Sequence, residues 1–89
     1  MRAKRERLQL IHDILKVIQD GKKKPTHIMY KANLSHQMLN EYLEYLLSQE
    51  FIEEKNSKNS KTYELTEKGH KYLKEYATIS SFVESFGLD

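Results

Sequence analysis

Residues 26–50 read THIMYKANLSHQMLNEYLEYLLSQE, and their apolar spacing describes a short helix, a tight turn and a longer second helix. Thr26 follows Pro25 in the manner of an N-cap. Ile28, Met29 and Ala32 then keep helical spacing until Asn33-Leu34-Ser35 interrupts it. Ser35 is placed to cap the next helix. There Met38, Leu39, Tyr42, Leu43, Leu46 and Leu47 recur at i, i+3 and i+4 along one side, while Gln37, Asn40, Glu41, Glu44 and Ser48 occupy the other. The stretch is a helix-turn-helix.

Upstream, Leu8, Leu10, Ile11, Ile14, Leu15, Val17 and Ile18 line one side of a further helix, opposite Gln9, His12, Asp13, Lys16, Gln19 and Asp20. An apolar arc this wide implies packing against two neighbours. Gly21 supplies the stop, and the basic residues at the extreme N-terminus, Arg2, Lys4 and Arg5, form a candidate arm. Lys22-Lys23-Lys24-Pro25 connects this helix to the motif. Its three cations suit phosphate oxygens; a solvated loop that complements the preceding helix dipole is the plainer alternative.

Downstream, Phe51 to Lys55 and Thr62 to Leu65 alternate as short strands around Asn56-Ser57-Lys58-Asn59-Ser60-Lys61, which predicts a β-hairpin with a polar, cationic turn. Thr66 is placed to cap a last helix, with Glu67 in its first turn. Leu65, Gly69, Tyr72, Tyr76, Ile79, Val83 and Phe86 then follow four-three spacing, a heptad seam. Leu73 and Ala77, beside the seam, can seat the helix on the body. Ser81-Phe82-Val83-Glu84 is also a capping-box pattern, so a continuous helix and one bent at Ser80-Ser81 both remain open.

The 89 residues make one small domain, whose modest core would gain from a partner subunit. The net charge of +2 is unevenly spread: residues 1–31 carry nine Lys or Arg against three acids, residues 32–89 six against ten. The basic end is therefore the anion-facing candidate. Without cysteine, disulfides and thiolate metal sites are excluded. His12, His27, His36 and His70 fall on separate elements without metal-ligand spacing, and no nucleophile elbow or phosphate-cradling glycine loop occurs, so neither metal, cofactor nor catalytic residues are expected. Of the six tyrosines, Tyr30 and Tyr45 look available for stacking. No apolar run approaches the roughly 20 residues of a membrane span, nor does the N-terminus resemble a signal peptide. The expectation is a cytoplasmic protein with no membrane association.

Helix, helix, helix, hairpin, helix is the order of a winged helix-turn-helix, and Tyr63-Glu64-Leu65-Thr66-Glu67-Lys68-Gly69 resembles the Y-x-L-T-x-K-G junction of such domains. Thr26 to Ser35 further resembles the T-x-I-M-Y-x-A-N-L-S segment of the archaeal ten-kilodalton winged-helix DNA-binding proteins of the Sulfolobus chromatin type. The resemblance extends from Leu8 to about Tyr76. It implies a dimer joined through the C-terminal helix as an antiparallel coiled coil, binding duplex DNA with little sequence preference, and a nucleoid-associated location. Two features depart from it. Residues 35–50 hold three acids and no Lys or Arg, a poor electrostatic match to a phosphate-lined groove, and the chain given ends at Asp89, short for a long coiled coil.

The expected fold is thus mainly α (α+β): a winged helix-turn-helix over residues 1–66 and a C-terminal dimerisation helix over 67–89. For duplex DNA, Ser35, His36, Gln37 and Asn40 are the candidate base readers. Lys22, Lys23, Lys24, Thr26, Lys31, Lys55, Lys58 and Lys61 are the candidate phosphate contacts. Tyr72, Tyr76, Ile79, Phe82, Val83 and Phe86 are the candidate homodimer interface. The competing expectation is a protein-interaction module without DNA binding, whose acids Glu41, Glu44, Glu50, Glu53 and Glu54 meet a basic partner.

Overall fold

A computed structural model describes residues 6–87, so the candidate arm Arg2, Lys4 and Arg5 lies outside the described residues. The elements run α1 (Arg7–Gln19), α2 (Pro25–Ala32), α3 (His36–Ser48), β1 (Ile52–Ser57), β2 (Ser60–Leu65) and α4 (Glu67–Ser85). This is the expected winged helix with its C-terminal helix.

The core follows from the apolar stripes. Ile14, Leu15 and Ile18 of α1 meet Ile28 of α2 and Leu39 and Leu46 of α3, and all six side chains are fully buried. Ile52, Tyr63 and Leu73 close the core from the hairpin and α4. As its wide arc requires, α1 touches α2, α4 and β2. Leu8, read as part of that arc, instead stands 60% exposed at the start of α1.

Helix boundaries are set by local chemistry. Ser35 Oγ accepts from the Met38 amide at 3.1 Å, and Thr66 Oγ1 accepts from the Gly69 amide at 3.1 Å, as both caps were expected to do. Thr26 is not a cap. Its helix begins one residue earlier, at Pro25 with Lys24 as N-cap, because a proline ring already holds the helical φ and its missing N–H costs nothing in the first turn. Between α2 and α3, Asn33 adopts φ 58°, a left-handed conformation that asparagine tolerates better than most residues.

The hairpin is longer than the sequence pattern implied. Pairing runs in unbroken antiparallel register from Ile52↔Leu65 to Ser57↔Ser60, leaving only Lys58 and Asn59 as the turn. Polar residues Asn56, Ser57, Ser60 and Lys61 are therefore strand, because both faces of the wing's outer half meet solvent and the ladder needs no apolar alternation there. At the base, Gly69 allows α4 to cross the start of the hairpin closely: a Cβ at this position would overlap the Phe51 carbonyl oxygen.

The last helix is continuous, and Ser80-Ser81 makes no bend. Leu73 seats it on the core as expected, but Ala77 is exposed. Tyr72 and Tyr76 are half-buried against α1, whereas Ile79, Phe82 and Phe86 are 62%, 55% and 65% exposed.

Candidate nucleic-acid interface

The cap at Ser35 starts α3 in a fixed direction, and burial of Leu39, Leu43 and Leu46 fixes its rotation. His36, Gln37, Asn40, Glu41 and Glu44 are consequently exposed on the outer side. Two hydrogen bonds cross-link this face at i, i+4 spacing: Asn40 Nδ2 to His36 Nδ1 at 3.4 Å, and Gln37 Nε2 to Glu41 Oε2 at 3.3 Å. Ser35 has its hydroxyl oxygen engaged in the cap. The candidate base readers therefore share one surface, and all four take part in a hydrogen-bonded pair or a cap.

Beside this face the wing contributes Glu54, Lys61 and Tyr63, which with His36, Asn40, Glu41 and Glu44 enclose a groove of about 740 Å³. Three carboxylates and one lysine line it. That lysine is already matched, with Lys61 Nζ lying 3.8 Å from Glu54. Burial raises the Tyr63 hydroxyl above its ordinary pKa, and the neighbouring Glu54 carboxylate adds to the rise, so the phenol at the groove floor stays neutral. The part Glu54 plays here is not legible in a linear pattern, since it depends on the hairpin register.

The candidate phosphate contacts form two sets. Lys23, Lys55 and Lys61 lie within 4.0 Å of Glu64, Glu53 and Glu54 respectively. Lys22, Lys24, Lys31 and Lys58 make no ion pair among the described residues. The 22–24 loop is drawn to the hairpin because the Tyr63 amide donates to the Lys23 carbonyl at 3.0 Å, which extends the sheet edge by one bond. Thr26 is exposed in the first turn of α2 and, with Lys22, His27, Tyr30 and Lys31, borders a shallow depression of about 370 Å³. Tyr30 is 85% exposed, as expected. Tyr45 is not free: the Arg7 guanidinium sits 4.3 Å from its ring centroid, and the side chain packs against the core.

Candidate dimer residues divide similarly. Tyr72 donates to the Leu8 carbonyl at 2.7 Å and meets Phe51 edge-on, and Tyr76 stacks on His12 with centroids 4.4 Å apart. Ile79 and Val83 border, with Leu8 and Tyr76, a groove of about 410 Å³ between α1 and α4. Phe82 and Phe86 pair with each other at 4.6 Å on the exposed helix. Among the described residues no cluster of His, Cys, Asp and Glu could hold a metal ion, and no helix is long and apolar enough to cross a membrane.

Comparison with known proteins agrees with the fold. An uncharacterized protein of Methanocaldococcus jannaschii, MJ0287, is 40% identical over 70 residues, covering 79% of this chain and 68% of the relative. A second from the same archaeon, MJ0290, is 39% identical over 77 residues; the match covers 86% of this chain and 35% of that longer protein. Among solved structures, Sso10a-2, a DNA-binding protein from Sulfolobus solfataricus, superposes with a TM-score of 0.75 at 25% identity over 93% of this chain and 90% of that one. ZitR of Lactococcus lactis in complex with DNA shares the fold, with a TM-score of 0.67 at 22% identity over 93% of this chain and 62% of its own. The winged helix-turn-helix family matches residues 4–84, and the chain belongs to it.

Proposed function

We propose that this chain binds double-stranded DNA as a homodimer, acting as a transcription regulator or chromatin component in the cytoplasm and nucleoid. The observation that carries the reading is the disposition of charge. The outer face of α3 is polar and exposed, while Lys22, Lys24 and Lys31, without an ion pair among the described residues, stand on and before α2, and Lys58 at the wing tip is likewise unmatched among them. In this docking mode Ser35, His36, Gln37 and Asn40 enter the major groove, and the lysines and Thr26 hold phosphates on its rims. Sso10a-2, a DNA-binding protein by name, and ZitR, solved with DNA, support the reading by likeness of fold. Residues 1–66 form the binding domain and 67–89 the dimerisation element, with Tyr72, Tyr76, Ile79, Phe82, Val83 and Phe86 at or beside the contact.

A titration of random-sequence duplex at several salt concentrations tests this. Neutralising phosphates releases counterions, so affinity must fall steeply as salt rises. Affinity that stays flat across the range, or no binding at low salt, would end the proposal.

One observation favours a second reading. The groove between α3 and the wing presents Glu41, Glu44 and Glu54 against a single, matched lysine, a surface suited to a basic protein partner. The double substitution Glu41→Lys with Glu44→Lys separates the two. If α3 faces DNA, affinity for random duplex rises, because two repelled charges become attracted. Unchanged affinity favours the protein partner.

A further inference from the structure

An acid on a helix that enters a DNA groove is repelled by phosphates whatever the sequence, so its presence weakens binding everywhere unless one base edge compensates. Glu41 is such an acid. It is exposed in the second turn of α3, beside Asn40, and no cation lies within ion-pair distance among the described residues. Its carboxylate is held by Gln37 Nε2 at 3.3 Å, a bond from one turn earlier that limits its rotamers and presets its position. A carboxylate can only accept hydrogen bonds, and among the described residues this one has a single N–H partner.

The major-groove edges of the four bases differ in what they offer an acceptor. Guanine presents two acceptors, and thymine an acceptor with a methyl group. Adenine places the N7 acceptor next to its amine, while cytosine presents the N4 amine alone. In a base pair adenine N6 lies between its own N7 and thymine O4, whereas cytosine N4 has an acceptor, guanine O6, on one side only, so a carboxylate meets least repulsion at cytosine. Glu44 lies three residues farther on and, with Glu41 and Glu54, lines the groove between α3 and the wing, but it has no side-chain hydrogen bond like that of Gln37 to Glu41 to preset it among the described residues.

We propose that Glu41 is a specificity-determining residue that accepts from cytosine N4, so that the chain selects duplexes with a C·G pair at one position of its site. This inference rests on the DNA-binding reading above. It departs from the weak sequence preference that the family resemblance implies, and it turns the electrostatic mismatch of α3 into the source of selectivity.

The test is selection from a randomised duplex pool at low salt with the wild type, Glu41→Gln and Glu41→Ala, each first shown by circular dichroism to be folded. The wild-type pool should fix one C·G pair by about tenfold over the other bases. Glu41→Gln, offering donor and acceptor together, should move that one position toward A·T, which glutamine bonds in bidentate fashion. Glu41→Ala should lose the preference there and bind random duplex at least as tightly as the wild type. A flat wild-type pool from a protein that does bind, or the same C·G preference in all three pools, overturns the role of Glu41 and leaves DNA binding standing. If the wild type retains no duplex at all, the DNA reading and this inference fall together.

Discussion

The Tyr72 hydroxyl donates to the Leu8 carbonyl at 2.7 Å, joining α4 to the first turn of α1 across 64 positions of sequence. That carbonyl belongs to the first turn of α1, and Tyr72 also packs edge-on against Phe51 with centroids 5.5 Å apart. One side chain thus connects the N-terminal helix, the hairpin entry and the C-terminal helix. Tyr72→Phe keeps the ring and removes only the bond. It should lower stability by about 1 kcal/mol, and the melting temperature by about 4–8 °C for a domain of this size. Thermal unfolding at fixed protein concentration checks this, and an unchanged midpoint would show that water replaces the bond without loss.

Two phenols also set an alkaline limit. Burial raises the pKa of Tyr63 with help from Glu54, and burial raises that of Tyr72 with help from Tyr76 and Tyr45. In both the folded value lies above the unfolded value of 10.0, so above that pH the unfolded chain holds fewer protons than the native one and stability falls. The contribution is complete below pH 10 and is lost as pH rises through the folded values. Urea midpoints should therefore drop between neutral pH and pH 11, and the drop should be shallower in Tyr63→Phe with Tyr72→Phe.

Much of the fold was legible because its causes are local. Ser35 and Thr66 announced their helices through hydroxyls that cap within three residues, and the apolar side of α3 announced its buried face. What stayed hidden depends on pairs distant in sequence or on choices between two local rules. Pro25 and Thr26 are both good helix starters, and the proline's fixed φ prevailed. The polar turn looked six residues long because nothing in Asn56-Ser57 or Ser60-Lys61 signals a strand whose two faces are wet. Ser81-x-x-Glu84 reads as a cap, yet in an unbroken helix the same residues are compatible with α4 continuing to Ser85. The candidate base readers were legible as one exposed face of α3, and the charge pattern around them was not. Which lysines are matched by acids follows from the Glu54–Lys61 and Lys23–Glu64 contacts, and those exist only once the hairpin register and the 22–24 loop are in place.

Glu50 ends α3 at φ 64°. Its amide bonds the Leu47 carbonyl at 3.0 Å and the Phe51 amide bonds that of Leu46 at 2.9 Å, the paired closure of a helix that usually has glycine at this place. A side chain in the left-handed region costs roughly 1–2 kcal/mol. Glu50→Gly should therefore stabilise the protein by about 1 kcal/mol, since the added freedom of the unfolded glycine offsets part of the relief. Denaturant midpoints at neutral pH would show it, and a lower midpoint would mean that Glu50 makes contacts worth more than its strain.

The two classes of lysine should differ in salt dependence. Lys58 at the turn is unpaired among the described residues, so a phosphate contact there adds directly to counterion release. Lys58→Gln should reduce the slope of log affinity against log salt by about 0.9. Lys55 lies 4.0 Å from Glu53, and in leaving that acid for a phosphate it exchanges one anion for another. Lys55→Gln should change the slope by less. Equal changes at both positions would show that the ion pair does not persist in solution.

The last prediction concerns what covers the outer half of α4. The helix has 19 residues and so runs for nearly 30 Å at 1.5 Å per residue, of which Leu73 anchors only the first turns to the core. Beyond it Ile79, Phe82 and Phe86 are more than half exposed, and burying a large apolar side chain contributes roughly 1.5–3 kcal/mol. Since α4 is unbroken through Ser85, the bend that would have folded these residues back onto the body is absent. Exposed Leu8 continues the same apolar surface across the groove that Ile79 and Val83 share with α1. A second copy of the helix, antiparallel, would cover this surface; of the four-three series Ile79, Val83 and Phe86 remain for it, because Leu65 belongs to β2, Gly69 is buried against Phe51, and Tyr72 and Tyr76 pack on α1. Ile79→Glu with Val83→Glu places two carboxylates in the proposed contact without touching Leu73, Tyr72 or Tyr76, so each subunit keeps its core. Sedimentation should find the wild type dimeric and the double variant monomeric with helical signal retained, and duplex affinity of the variant should fall at least tenfold as the linked second site is lost. A wild type that sediments as a monomer at tens of micromolar would sink the dimer, whatever the variant does.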